Sequence, residues 1–200
     1  MSLLDAELLA ERPNGRTEID LDAVRRRGAA GREWLRERLT QRGFSPEVSA
    51  AVLSARTGAM FAAPDLCAVV HGGRLLLETD TLPPLPVLQL REYVREAAFV
   101  PARAADCVTI DAEAVVGHPF VRRVQTGDRF APFGMHRGTK LVSDYLTDRH
   151  RSVLEKRAAA VVCDEKGILW LVGETVDRRA AVTASTQRVL EIRLLAVRTD

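Results

Sequence analysis

The residues of this chain best suited to chemistry with an anion are concentrated between Arg122 and Arg157. Nine Lys/Arg stand there against four Asp/Glu, a local balance of +5 in a 200-residue chain whose net charge is only +2, so the remainder carries −3. Long-range attraction depends on where charge sits more than on its total. Within this stretch, Gly127-Asp128-Arg129-Phe130-Ala131-Pro132-Phe133-Gly134 reads as a loop with glycine at both ends, a stiffening proline and two aromatic rings. Its arginine offers the planar fork that binds phosphate oxygens in pairs, and its rings offer faces on which bases stack. The competing reading makes both rings core and pairs Arg129 with Asp128 or another acid, since surface charges are usually just solvated.

A second anion-binding candidate follows directly. His136-Arg137-Gly138-Thr139-Lys140 precedes a predicted helix, whose first N–H groups together with two cations suit a phosphate. An ordinary turn with solvated cations accounts for it equally well. It is not a nucleotide P-loop, which requires two glycines four residues apart and an immediate Gly-Lys-Ser/Thr, whereas here Thr139 precedes Lys140.

Other chemistry is sparsely supplied. His71, His118, His136 and His150 have no His-x-x-x-His spacing, and no acid or cysteine joins them at a ligand interval, so no metal site is expected. Cys67, Cys107 and Cys163 are odd in number and never form Cys-x-x-Cys, which argues against disulfides and structural zinc and suits reduced thiols in the cytoplasm. Ser143 and Ser185 lack a Gly-x-Ser-x-Gly elbow, and Cys163 lies in an apolar strand where a thiol is inert. Asp144 and Asp148, four apart on a predicted helix, read more simply as a solvated face than as an acid and base pair. Arg25-Arg26-Arg27 with Arg32, Arg36 and Arg38 extends an RNA-facing surface or, diluted by Asp20, Asp22, Glu33 and Glu37, forms a salt-bridged helical face. No catalytic residue is assigned. No apolar run approaches the roughly 20 residues that span a bilayer, and no secretory leader is recognisable, so no membrane partner is expected.

The elements that must carry these residues are α+β. Residues 1–16 read as a leader or linker with a short helical pattern closed by Arg12-Pro13-Asn14-Gly15, Met1-Ser2-Leu3 being set aside. Residues 17–79 read as a helical region with a β-hairpin. Asp20 caps its first helix, Gly28 and Gly31 break the pattern into two pieces, Ser45-Pro46 starts a helix that Gly58 ends, and Gly72-Gly73 turns between Leu66–His71 and Arg74–Glu78. The proline-rich stretch 80–103 is a linker or edge strand. Residues 104–200 form a small C-terminal domain with two short helices packed between β-strands: strands at Cys107–Ile110 and Val121–Val124, a helix over Thr139–Leu146, and another from Ser152, where Ser152 and Glu155 make a capping box. Ala160–Cys163 and Ile168–Val172 then form a hairpin, and Val189–Leu195 a final strand.

The order and spacing of several motifs carry a resemblance. Arg122, Gly127, Asp128, Arg129, Phe130, Pro132 and Gly134, then Lys140-Leu141-Val142-Ser143-Asp144-Tyr145-Leu146-Thr147-Asp148-Arg149, then Val162-Cys163-Asp164 with Ile168-Leu169-Trp170-Leu171-Val172-Gly173, closely resemble the C-terminal domain of the bacterial tRNA(Ile)-lysidine synthases. The region before residue 80 looks, more diffusely, like that family's substrate-recognition region.

The resemblance implies an ATP-dependent carbon–nitrogen ligase of tRNA modification, which adenylylates the wobble cytidine of a CAU anticodon and attaches lysine so that it reads AUA. ATP and Mg belong to an N-terminal domain with a Ser-Gly-Gly-x-Asp-Ser loop; nothing here matches that loop, so this chain binds no cofactor itself and is expected to be inactive alone. Its implied partners are tRNA(Ile) and the N-terminal catalytic domain, with a homodimer allowed. By motif position Arg129, Lys140 and Arg149 match basic positions that grip tRNA, and Arg122, Arg123 and Arg137 are added from charge. The alternative is a non-catalytic dimerisation or docking module that uses exposed Val/Leu of the 66–78 hairpin.

Overall fold

In a computed structural model, which describes residues 3–12 and 15–196, the chain divides into two compact units, Met1–Leu82 with Ser152–Leu154, and Pro83–Arg151 with Glu155–Asp200. The fold is α+β, with antiparallel sheets in both units.

The first unit begins with α1 (Leu3–Leu8), β1 (Leu9–Glu11), β2 (Thr17–Asp20), α2 (Leu21–Arg26), α3 (Gly28–Thr40) and α4 (Pro46–Ser54), and ends with β3 (Met60–Ala62), β4 (Leu66–His71) and β5 (Arg74–Thr79). Its five strands lie in the order β1-β2-β5-β4-β3. Residues 1–16, expected as a leader or linker, are part of this unit where they are described. Leu8 is fully buried, and the Asp5 carboxylate accepts from Trp34 Nε1 at 3.0 Å and from Arg38 at 2.7 and 2.8 Å. The helical pattern stops at Leu8 because Leu9–Glu11 pair with Thr17–Ile19, a hairpin that the amphipathic periodicity of one short segment does not reveal. Met1, Ser2 and the Pro13-Asn14 pair of the expected turn lie outside the described residues.

Helices cover one face of this sheet, with Ile19, Leu21, Val24, Leu35, Leu39, Val52, Leu75 and Leu77 in one core. Asp20 caps α2 as expected, accepting from the Ala23 N–H at 2.8 Å. Gly28, at φ 60°, is the first residue of α3, with only Arg27 between it and the end of α2, but Gly31 does not break the helix. It lies inside α3, where a Cβ would stand 2.2 Å from the Val24 carbonyl oxygen, so its role is close approach of the two helices. The helix α4 stops at Ser54, short of Gly58, and Ser45 makes no side-chain cap bond to the backbone. Gly72 and Gly73 both have positive φ, as a tight two-residue hairpin turn demands. The hairpin's Val69, Val70, Leu75, Leu76 and Leu77 are all buried; Cys67, Val69 and Leu76 cluster with Leu154, which belongs to the same unit. They are core, not the exposed docking surface that the alternative reading of the hairpin requires.

The second unit consists of β6 (Val87–Val94), β7 (Cys107–Asp111), β8 (Phe120–Arg123), β9 (Arg129–Phe130), β10 (Lys140–Leu141), α5 (Val142–Asp148), α6 (Val153–Ala158, from Glu155 onward), β11 (Ala160–Asp164), β12 (Gly167–Leu171), β13 (Thr175–Val176) and β14 (Arg188–Leu195). Its strands form sheets in the orders β13-β12-β11-β8 and β6-β14-β7, with β9 and β10 as a separate ribbon. The near-continuous apolar runs of β11 and β12 follow from burial on both faces. Val162, Leu169 and Trp170 pack with Val108, Ile110, Leu190 and Ile192, while Val161, Cys163, Ile168 and Leu171 pack with Phe130, Val142, Tyr145 and Leu146. The extra residue, Leu169, between the Val162–Trp170 and Cys163–Ile168 pairs puts the adjacent Leu169 and Trp170 in the same core.

The helix expected over Thr139–Leu146 begins only at Val142. Lys140 and Leu141 extend as a strand because they pair with Phe130 and Arg129.

Candidate nucleic-acid interface

The basic loop is built from both of its ends. Arg122 on β8 reaches across to Asp128, Nη1 to Oδ2 at 2.7 Å and Nη2 to Oδ1 at 2.9 Å, and the same carboxylate accepts from the Gln125 N–H at 2.8 Å. The Arg122 hydrogen bond is the main reason the Asp128 carboxyl titrates below its ordinary value; partial burial opposes it, and the Gln125 N–H assists. The Asp128 carbonyl in turn accepts from Val142 N–H at 2.9 Å, which ties the loop to the start of α5.

The far end is held by Asp177, a buried carboxylate that accepts from the Ala131 and Arg179 N–H groups, each at 2.8 Å. Phe133 N–H donates to the Val176 carbonyl at 3.0 Å and Arg178 Nη1 to the Met135 carbonyl at 2.7 Å. The two rings have different fates. Phe130 is core, edge-on to Tyr145 with centroids 5.4 Å apart. Phe133 is 45% exposed, with the Arg103 guanidinium 4.7 Å above its ring.

All six cations expected to meet RNA lie in the second unit, in differing circumstances. Arg122 and Arg123 are neighbours on β8, and both are engaged: Arg122 on Asp128, Arg123 on the carbonyls of Ala158 and Pro83. Arg129 and Lys140 stand on the paired strands β9 and β10. Lys140 is joined to Asp148, which pulls the Asp148 carboxyl below its ordinary value. Among the described residues Arg129 donates to Thr139, to Oγ1 at 3.1 Å and to the carbonyl at 3.2 Å, and to no acid. Arg137 is exposed in the turn before β10, and Arg149 is exposed at the C-terminal end of α5 with its guanidinium 5.3 Å over the Tyr145 ring. Among the described residues, Arg129, Arg137 and Arg149 have no carboxylate partner and keep the charge that a phosphate reads.

Four of the six N-terminal arginines are neutralised locally, Arg25 by Asp22, Arg27 by Glu7, Arg36 by Glu33 and Arg38 by Asp5, while Arg26 and Arg32 are exposed with no carboxylate partner among the described residues. The salt-bridged face is the reading the structure supports there.

Sequence reasoning missed the residues that stiffen the interface from beneath. Asp164, buried at the end of β11, accepts from Val116, Lys166 and Gly167 N–H groups at 2.9, 2.9 and 3.1 Å and from Arg179 at 2.6 and 3.1 Å. Burial alone would raise its pKa, but the Arg179 hydrogen bond and the backbone donors together hold it below the ordinary aspartate value. An aspartate opening a turn that ends in glycine was a local signal for the N–H bonds. Nothing local signals Arg179, fifteen residues away.

The segment His136–Lys140 does not form the phosphate cradle considered for it. Gly138 turns at φ 72° into β10 rather than into a helix, and Thr139 is used by Arg129. No group of His, Cys, Asp and Glu able to hold a metal occurs among the described residues. Burial pushes the Cys163 and Cys107 thiols up, away from the thiolate form that a nucleophile needs. No helix of the described residues is long and apolar enough to cross a membrane.

No family model matches the chain. It is 34% identical over 144 residues to a tRNA(Ile)-lysidine synthase of Bacteroides thetaiotaomicron, covering 69% of this chain and 33% of that protein. It is 41% identical over 75 residues to one of Parabacteroides distasonis, covering 38% of this chain and 17% of that protein. A solved structure described as a TilS C-terminal domain aligns with 60% of this chain and 92% of its own, at 23% identity and a TM-score of 0.45. The chain thus spans at most about a third of the length of these curated relatives. By sequence, it is related to the tRNA(Ile)-lysidine synthases over that portion.

Proposed function

We propose that this chain is the tRNA-gripping C-terminal part of a cytoplasmic tRNA(Ile)-lysidine synthase, the ligase that joins lysine to the wobble cytidine of the CAU anticodon of tRNA(Ile) at the expense of ATP. The observation that carries this reading is the 34% identity over 144 residues to a protein of that name. The second unit supports it with a braced loop and three arginines that have no acid partner, a surface suited to the backbone of an RNA helix, which is recognised by shape and phosphate contacts. On this reading adenylylation and lysine transfer belong to residues outside the matched portion, and the N-terminal catalytic domain is the partner of this one.

Unmodified tRNA(Ile), labelled at one end and titrated with the chain at about 50 mM salt, tests the reading. Saturable binding that weakens steeply as salt rises is expected, together with no lysine-dependent consumption of ATP. Absence of binding at low salt overturns it.

A second reading, self-association, rests on β6. This eight-residue strand lies at the edge of its sheet, and Val87, Leu90 and Val94 are exposed along it. Such an edge is a template for pairing with a second copy. Sedimentation of the wild type and of Leu90→Lys distinguishes the two readings: dimers abolished by the substitution, with RNA binding unchanged, support self-association as a separate property.

A further inference from the structure

Beside the braced loop the second unit holds a recess of about 200 Å³, whose rim carries Phe133, Arg103 and Arg149 and whose floor includes Val108, Trp170 and Val176. It is smaller than the roughly 300 to 1,000 Å³ of typical small-molecule pockets, so it suits one planar group and not a whole cofactor. We propose that it receives a single unpaired nucleobase of the bound RNA, with the flanking phosphates on Arg103 and Arg149. This rests on the RNA-binding reading and names what this part of the surface takes.

Three observations favour a base. Phe133 has no core reason to stand where it does: it is 45% exposed, whereas Phe130, three residues earlier, is buried. Its loop is fixed by the Phe133 N–H bond to Val176 and by the Asp177 bond to Ala131 N–H, so the ring is presented on rigid backbone. The Arg103 guanidinium stands over it at 4.7 Å, and aromatic and guanidinium planes are the groups on which unstacked bases of RNA are held.

The charge at the rim also suits an anionic strand. Arg103 and Arg149 are exposed and have no carboxylate partner among the described residues. Glu174, the one acid lining the recess, is bound by Arg151 at 2.6 Å and is 8% exposed, so its charge is answered before a ligand arrives. Val108 and Trp170 contribute apolar atoms to a floor that also carries polar groups such as Thr109.

The test uses the full chain and one RNA duplex in three forms: blunt, with a short single-stranded 3′ extension, and with the same extension at the 5′ end. Wild type is expected to bind one of the extended forms roughly tenfold more tightly than the blunt form, the scale of one base–aromatic stack. Phe133→Ala and Phe133→Leu should both bind all three forms alike, at the blunt affinity, whereas Phe133→Tyr should keep the preference. Because Phe133→Leu keeps an apolar side chain and removes only the aromatic face, retention of the preference in that variant overturns stacking. Equal binding of all forms by wild type overturns the inference while leaving RNA binding standing. No binding to any form overturns the proposed function itself.

Discussion

Arg122 and Asp128 face each other through two parallel hydrogen bonds, 2.7 and 2.9 Å long, that close the loop between β8 and β9. The side chains are 26% and 12% exposed, so the pair is only partly screened by water. An arginine that charge alone assigns to RNA is thus a brace for the loop on which other cations stand. Its neighbour Arg123, bonded to two backbone carbonyls, is engaged in the same way.

Arg122→Ala should therefore act through stability. Loss of charge-assisted bonds to a partly buried carboxylate is expected to cost about 1.5 to 3 kcal/mol, read as a lower midpoint in urea with an unchanged slope. Arg137→Ala, at an exposed position without a carboxylate partner, should leave the midpoint within about 0.5 kcal/mol of wild type. If the two variants shift it equally, Arg122 is not a brace.

The Asp164–Arg179 pair makes a stronger demand. The Asp164 side chain is fully buried and has backbone donors besides Arg179, which is itself 29% exposed. Removing Arg179 leaves a buried charge with backbone donors but no counter-charge, so Arg179→Ala should lower stability by roughly 3 kcal/mol. Thermal unfolding of Arg179→Ala, Asp164→Asn and the double variant measures the coupling. Purely additive losses would show that the two residues do not act together.

Acid should unfold the chain through the same carboxylates. Asp128 and Asp164 both titrate below their ordinary value in the folded state, so the stability they contribute is fully present above the unfolded aspartate pKa, about 4, and is lost as pH falls through their depressed folded values. Denaturation midpoints should thus be flat above about pH 5 and fall below about pH 4. Asp164→Asn should be less stable at neutral pH and lose less on acidification. A main loss centred between about pH 6 and 7 would point to histidines instead.

Much of this was legible in the residues. Asp20 as a cap, the Gly72-Gly73 hairpin, the paired runs around Asp164–Gly167 and the long final strand all have strong local signals, a capping side chain, positive-φ glycines or apolar periodicity. What local pattern does not reveal is pairing at a distance. Leu9–Glu11 became a strand because Thr17–Ile19 lay opposite, Lys140–Leu141 because Arg129–Phe130 did, and Gly31 stayed helical because Val24 needed the space. The candidate site divides the same way. Charge density located the segment, but whether a given cation meets an acid depends on contacts such as Lys140 with Asp148, and the Asp164–Arg179 brace left no trace of its partner in sequence.

Contact of Arg129, Arg137 and Arg149 with RNA phosphates is tested most directly by the salt dependence of binding. Affinity for tRNA should be measured between about 50 and 200 mM salt for wild type and for the triple variant Arg129→Ala/Arg137→Ala/Arg149→Ala, each phosphate contact contributing about 0.7 to 0.9 to the logarithmic slope. The expected result is a slope shallower by about 2 to 3 in the triple variant, with its unfolding midpoint close to that of wild type. An identical slope for the two proteins would contradict the account.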